Sequence, residues 1–414
     1  MRIKDIEIII LDVPFYDAAE RNMQRQQYGW RICEICRVTT DNGIVGIGET
    51  LPNYTWGVVK PEAIERAKGR NPFDLMWDDS LGAGLQMALF DIAGKAAEVP
   101  VYRLLGKKQR EECGISWWGI DMSPEDYAAE AREAVKQGYT SFKQKARPWW
   151  DVYEQTRLTT EAVGPNFKLN YDFNEHMVNA ATAVPVVQEL DKSPNMALYE
   201  SPIPQGDIPG NRRLRQQTRT AIAMHYGHPS VMTAVREEIC DGFVVFGGAS
   251  NIMRQAFLAE QANMPFFIQM VGSGITTTMM LHLSAVSTHA QWPAVTCMNM
   301  YTDTLITEPI VVRGGLARVP ETPGLGIELN EASLKYRVDT TVKPNADAIY
   351  AIVRDSGLKT WYHGEFGKRG FWEDSHAGNI PLMEHGVRLE QWNNDGSKEW
   401  QDMARRVKVA PVME

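Results

Sequence analysis

From about Cys113 the chain repeats one pattern, a short β-type run followed by a stretch with helical spacing. Gly114–Ile120 leads to a helix over Pro124–Gln137, Ser141–Ala146 to Asp151–Val163, and Phe167–Tyr171 to a helix near Val178–Leu190. Ala197–Glu200, Thr220–Met224, Gly242–Phe246, Phe266–Met270 and Ala294–Met300 supply the further β candidates. About eight such units in roughly 190 residues is the count of a β/α barrel.

The flanks read differently. Residues 1–50 are β-rich, with runs at Ile6–Val13, Ile32–Thr39 and Ile44–Glu49 and a hairpin turn at Asp41-Asn42-Gly43. Residues 80–105 are helical, with Leu85, Ala88, Leu89, Ile92 and Ala93 forming an apolar stripe. The chain therefore starts as an α+β unit. From about Glu308 it returns to turn-rich β text around Pro320, Pro323, Gly324 and Gly326. The segment beyond carries several Trp and no readable chemistry.

In a β/α barrel, chemistry collects at the C-terminal ends of the strands. The second β unit ends with Lys143-Gln144-Lys145 and the third with Asp172-Phe173-Asn174. The fourth ends with Glu200-Ser201-Pro202 and the fifth with Met224-His225-Tyr226. Strand residues two apart share a face, so Lys143 and Lys145 enter the same space. Two close cations disfavour each other's charge, and a Lys whose pKa falls can act as a general base. Facing solvent, the same pair is an ordinary charged edge. The acids and His on the next strand ends favour the inward reading, since five such residues in register form one converging cluster.

Composition excludes some partners. A net charge of -9 argues against nucleic acid, whose phosphates want a basic face. The N-terminus alternates polar and apolar residues and lacks the apolar stretch of a signal peptide. No run of about 18 apolar residues is present to span a membrane. A cytoplasmic enzyme is the expectation. Five scattered cysteines fit a reduced compartment. Cys33-Glu34-Ile35-Cys36 lies in a strand-like run, where residues three apart face opposite ways, which weakens a redox or zinc role.

These features resemble the enolase superfamily, in particular its mandelate racemase and muconate-lactonizing branch, over roughly residues 1–337. Ala88-Leu89-Phe90-Asp91-Ile92-Ala93-Gly94-Lys95, continued by Pro100–Gly106, is similar to the helix and turn joining a capping domain to the barrel. Lys143-Gln144-Lys145 resembles the K-x-K of the second strand, Asp172-Phe173-Asn174 the D-x-N of the third, and Glu200-Ser201-Pro202 the E-x-P of the fourth. Pro323–Leu329 is similar to the segment returning to the capping domain. The resemblance implies an α/β fold: a modified, TIM-like (β/α) barrel with an α+β capping domain formed by the N-terminal and C-terminal segments. The expected divisions are capping domain 1–112, barrel 113–307, and C-terminal return plus extension 308–414.

It also implies a chemistry. A divalent cation, usually magnesium, binds a substrate carboxylate and stabilises the enediolate formed when the adjacent carbon loses its proton. By resemblance Lys145 is the base, Lys143 lowers its pKa, and Asp172 and Glu200 are metal ligands. Asn174 is a polar partner at the substrate. The third ligand is normally an acid, yet His225 stands at that spacing; as a ligand it would shift preference toward manganese, iron or zinc. It reads equally as a catalytic acid or a hydrogen-bonding core group. The sixth unit lacks the family's Asp or Lys, and the seventh, Phe267–Gly272, lacks a racemase-like His. One visible base suits dehydration of a hydroxy or sugar acid. Racemisation or epimerisation needs a second base, and a barrel that binds a small acid without turnover is a further reading. The partner is expected to be a small carboxylate, and the protein a homo-oligomer. Phe15–Trp30 and Leu51–Val59 are expected to cover the site by position. Arg25 in the first of these and Trp117, His176 and Asn174 near strand ends are the candidate substrate contacts, with surface charge and buried packing as the competing readings for Arg25 and Trp117.

Overall fold

The structure, a computed structural model, describes residues 1–54, 58–364, 370–380 and 382–414. Of the expected covering loop Leu51–Val59, residues 55–57 lie outside the described residues. Contacts divide the chain into two units: Met1–Tyr16, Gly29–Trp118 and Phe243–Lys343 in one, and Asp17–Tyr28, Gly119–Gly242 and Pro344–Glu414 in the other.

In the first unit, strands Ile3–Asp12, Ile32–Thr40 and Val45–Thr50 form an antiparallel meander. The turn between the last two needs a left-handed residue and has Gly43 at φ 84°. Helix Ala83–Ala96 packs against this sheet at backbone distance, because Gly48 has no Cβ there; a Cβ at that position would lie 1.9 Å from the Gly84 carbonyl oxygen. Buried Asp91 on this helix accepts hydrogen bonds from the Ile47 and Leu325 amides and pairs with Lys95 at 2.9 Å. That role accounts for the acid in the Phe90-Asp91-Ile92 text. Helix Gly274–Val286 is buried along its whole length. Its His282 accepts from the Tyr102 amide and faces the Leu325 carbonyl, and burial pulls its pKa down to about 4. Cys33 and Cys36 are buried and free.

Strand Phe266–Ile268 pairs in parallel with residues 243–245. The expected eighth β run, Ala294–Met300, is not a strand. It contributes two parallel bridges, Ile115 to Ala294 and Gln269 to Val295, and then coils into a short 3-10 turn over Met298–Met300. Cys297, at φ 62°, ends the extended backbone after three residues.

In the second unit, strands Ser141–Lys145, Lys168–Asp172, Met196–Glu200 and Ala221–His225 run in parallel. Their core-facing residues Phe142, Leu169, Tyr171, Leu198, Tyr199 and Ile222 are buried. The intervening helices begin at capping side chains: Asp151 for Val152–Ala162, Asn179 for Ala180–Leu190, and Asp207 for Ile208–Gln217.

The C-terminal segment, featureless in the sequence, is an antiparallel sheet. Its order is Arg388–Asn393, Ala348–Val353, Lys359–His363, Val412–Met413. Alternation along Ala348–Val353 divides its faces. Ile349, Ala351 and Val353 pack on Trp400, Met403 and Val407 of helix Lys398–Val409. Tyr350 and Ile352 pack with Phe371, Ile380 and Val387, and with Trp149 and Trp150 from the loop after Ser141–Lys145. No helix among the described residues is long and apolar enough to cross a membrane.

Candidate active site

Strand register builds the site. Lys145 lies opposite Asp172, and Asp172 opposite Glu200. Lys143 is 2% exposed, and its ammonium sits 2.5 Å from Glu200 Oε2 and 3.4 Å from Asp172 Oδ2. Lys145 Nζ donates to Asp172 Oδ2 at 2.5 Å and to Asn174 Oδ1 at 3.1 Å. The structure thus brings Lys143, Lys145, Asp172, Asn174 and Glu200 together. Two ammonium groups and two carboxylates, all buried or nearly so, balance each other's charge.

The electrostatics follow from burial and neighbours. Burial lowers the Lys145 pKa; Asp172 opposes that shift, while Lys143 and Arg147 reinforce it, and the net direction is down. For Asp172, burial pushes the pKa up, but Lys145, Lys143 and Arg147 outweigh it and hold the carboxyl well below its usual range.

Arg147 is the functional-looking residue that the motif reading missed. It is 1% exposed, and its guanidinium donates to Asn174 Oδ1 at 2.6 Å and to the Asp172 carbonyl at 3.0 Å. A signal existed: Lys143, Lys145 and Arg147 alternate, so a third cation follows the pair at the same spacing.

His225 Nε2 stands 3.2 Å from Glu200 Oε1 on a partly exposed side chain. Register places Ala223 opposite Glu200, so His225 lies two residues farther along its strand. Other candidates are placed away from the lysines' direct contacts. Arg25 is buried in an ion pair with Asp121 at 3.0 Å. Asp121 also accepts from the Trp149 and Trp150 indoles and from Gln26, so Arg25 supports the loop that follows the lysines. Burial raises the Asp121 pKa, but Arg25 and Arg147 outweigh it and hold the group low. His176 is buried, bonded through Nδ1 to Ser375 Oγ at 2.8 Å, and its pKa is held well down by burial and by Arg147. Trp117 is buried in the other unit.

A divalent cation has partial support in the donor set. Glu200 is buried, with Lys143 at its Oε2, His225 at its Oε1 and Asp172 beside it in register. A buried carboxylate pair fits a cation such as magnesium, which one or two carboxylates hold while water and substrate complete its shell, taking the place that the lysine ammonium groups hold here. Among the described residues no group of three His, Cys, Asp or Glu side chains could hold a metal ion. The expected trio of Asp172, Glu200 and His225 is therefore not gathered as three ligands.

Comparisons with known proteins point one way. The family model described as enolase C-terminal domain-like matches residues 126–333. The chain is 26% identical to an N-succinyl-L-Arg/Lys racemase of Bacillus cereus, over 73% of this chain and 89% of that protein. It is 25% identical to a D-gluconate dehydratase of Thermoproteus tenax, over 85% and 77%. The solved dipeptide epimerase of Cytophaga hutchinsonii, complexed with Mg and the dipeptide D-Ala-L-Val, superposes with a TM-score of 0.68 at 23% identity, covering 82% of this chain and 99% of that one. The shared fold is a modified β/α barrel with a capping domain.

Proposed function

The chain belongs to the enolase superfamily, in its mandelate racemase and muconate-lactonizing branch, and from that premise we propose that it removes the proton α to a carboxylate and dehydrates a hydroxy or sugar acid, with Lys145 as the base. The observation that carries this reading is the placement of Lys145. It has a lowered pKa, its ammonium is oriented by Asp172 and Asn174, and it stands beside a second buried cation.

The geometry supports the following roles. As an amine, Lys145 accepts the α-proton, and the electron pair of that C–H bond moves toward the carboxylate. Lys143 places a fixed positive charge where that negative charge builds. Asn174 Oδ1 accepts from the Lys145 nitrogen and helps to orient it. His225, at the next strand end but one, gives a proton to the leaving β-hydroxyl. The C–O bond breaks and water departs; in an acid that also carries an α-hydroxyl the product is an enol, which loses its hydroxyl proton, gains one at the β-carbon and becomes a 2-keto acid. Asp172 and Glu200 would hold a divalent cation, which when bound neutralises charge developing on the substrate carboxylate.

The racemase relative gives a second reading, in which a proton returns to the opposite face. It needs a second base on the opposite face, and among the described residues we assign that role to none besides Lys145. Solvent deuterium exchange separates the readings when run with Mg²⁺ on D-gluconate, D-xylonate, arabinonate and N-succinyl-L-arginine. Release of water with a keto-acid product supports the dehydratase. Exchange with inversion and no water loss supports the racemase. Neither exchange nor water loss with any acid leaves a small-acid-binding barrel.

A further inference from the structure

The segment from Pro344 to Glu414 lies beyond the reach of the family model, which ends at residue 333. The epimerase structure is matched over 99% of its own length yet covers 82% of this chain, leaving a share close in size to this segment. On its own such a segment reads as an appended domain that adds stability. Its contacts say more.

Helix Phe371–His376 of this segment touches Arg147 and His176, which lie in the loops after Lys145 and Asp172. The Trp372 ring covers the Arg147 guanidinium at 5.1 Å, a cation–π contact. Among the described residues the Arg147 donors go to the Ala146 and Asp172 carbonyls and to Asn174 Oδ1. That amide oxygen is the one that Lys145 also holds. Ser375 meanwhile bonds His176, whose ring stands 4.4 Å from Trp372 and 5.2 Å from Trp149.

The loop between these two ties is strained. Asn174, Glu175 and Val178 all have left-handed backbones, at φ 43°, 68° and 61°. Such conformations in residues other than Gly are disfavoured and persist only where the surroundings hold them. Ser375 holds this loop at His176, and Trp372 holds it at Asn174 through Arg147.

We propose that the C-terminal segment is a working part of the candidate active site, and that Trp372 is a positioning residue which fixes Asn174 beside Lys145 through Arg147. The proposal rests on the reading of Lys145 as the base. Trp372 itself does not touch the lysines; its effect passes through the guanidinium it covers.

The test compares Trp372→Ala, Trp372→Phe and a control, Met403→Ala, on the opposite face of the same sheet. Each is assayed for deuterium exchange on whichever acid of the panel the full-length wild type exchanges fastest, and for melting temperature. The expectation for Trp372→Ala is a kcat loss of at least about tenfold with KM within about threefold, since a misplaced catalytic group costs rate rather than binding. Trp372→Phe restores most of kcat, and Met403→Ala keeps it despite a comparable loss of melting temperature. Wild-type kcat in Trp372→Ala, or an equal loss in Met403→Ala, overturns the proposal. Absence of exchange by the wild type would instead sink the base assignment. Phenylglyoxal labelling mapped by peptide mass spectrometry then decides the positioning claim by itself. Arg147 should be protected in wild type and Met403→Ala and react at least about tenfold faster in Trp372→Ala; equal labelling in all three overturns it.

Discussion

The two lysines do different work because they meet different neighbours. Lys143 is enclosed by Glu200 and Asp172, whereas Lys145 is 16% exposed and shares its proton donors between Asp172 and Asn174. Its lowered pKa implies that exchange rises with pH through a midpoint below the ordinary lysine range of about 10.4. Lys143→Met removes a cation that pushes in that direction, so the rising limb of the pH–rate profile should move to higher pH. An unmoved limb would mean that Lys143 does not tune the base. Asp121 and Asp172 have folded-state pKa values below their unfolded ones. Their contribution to stability is therefore complete above the ordinary carboxylate range and lost as pH falls through it toward the folded values. Urea midpoints should fall steadily from about pH 5 downward. Asp121→Asn leaves Arg25 buried without its ion-pair partner and should cost about 3–5 kcal/mol at neutral pH in the same unfolding measurement. At this scale the sequence was legible where strand periodicity applied. Lys143, Lys145, Asp172 and Glu200 converge as their spacing predicts. Arg25 was not legible, because its partner Asp121 is far away in sequence and nothing local distinguishes a buried guanidinium from a surface one.

Elements were easiest to read where a side-chain period and a cap agreed. Helix Val152–Ala162 begins at Asp151, and helix Pro124–Lys136 at Ser123, each within a residue of the periodic text. The eighth β run failed because its apolar alternation continues past Cys297, while the backbone turns left-handed there. Hydrophobic pattern reports which residues want burial and carries no information on such a turn. The packing of helix Ala83–Ala96 also hides in the sequence as two unremarked glycines. Gly48→Ala should force the helix from the sheet or strain both, lowering stability by about 1–3 kcal/mol or more, since the obstructing atom is a backbone carbonyl. A denaturant midpoint equal to wild type would contradict the close approach.

For the molecule as a whole, repetition made the barrel legible and its absence hid the C-terminal sheet. Parallel strands alternating with helices carry the same signal many times over, and the family's strand-end motifs fall on that frame. The C-terminal sheet has four strands of two to six residues with separations that vary, so nothing repeats. Its tryptophans looked idle in the sequence; in the structure Trp372 meets Arg147 and Trp361 packs with the last helix. Lys145 thus stands on the shared family frame, and the segment beyond the matched family model reaches it through Arg147 and Asn174. The most direct test is α-carbon deuterium exchange by wild type and Lys145→Met on the same acid. The account predicts exchange by wild type and a loss of at least about a hundredfold in the variant, the contribution expected of a general base. Exchange that survives Lys145→Met would contradict it.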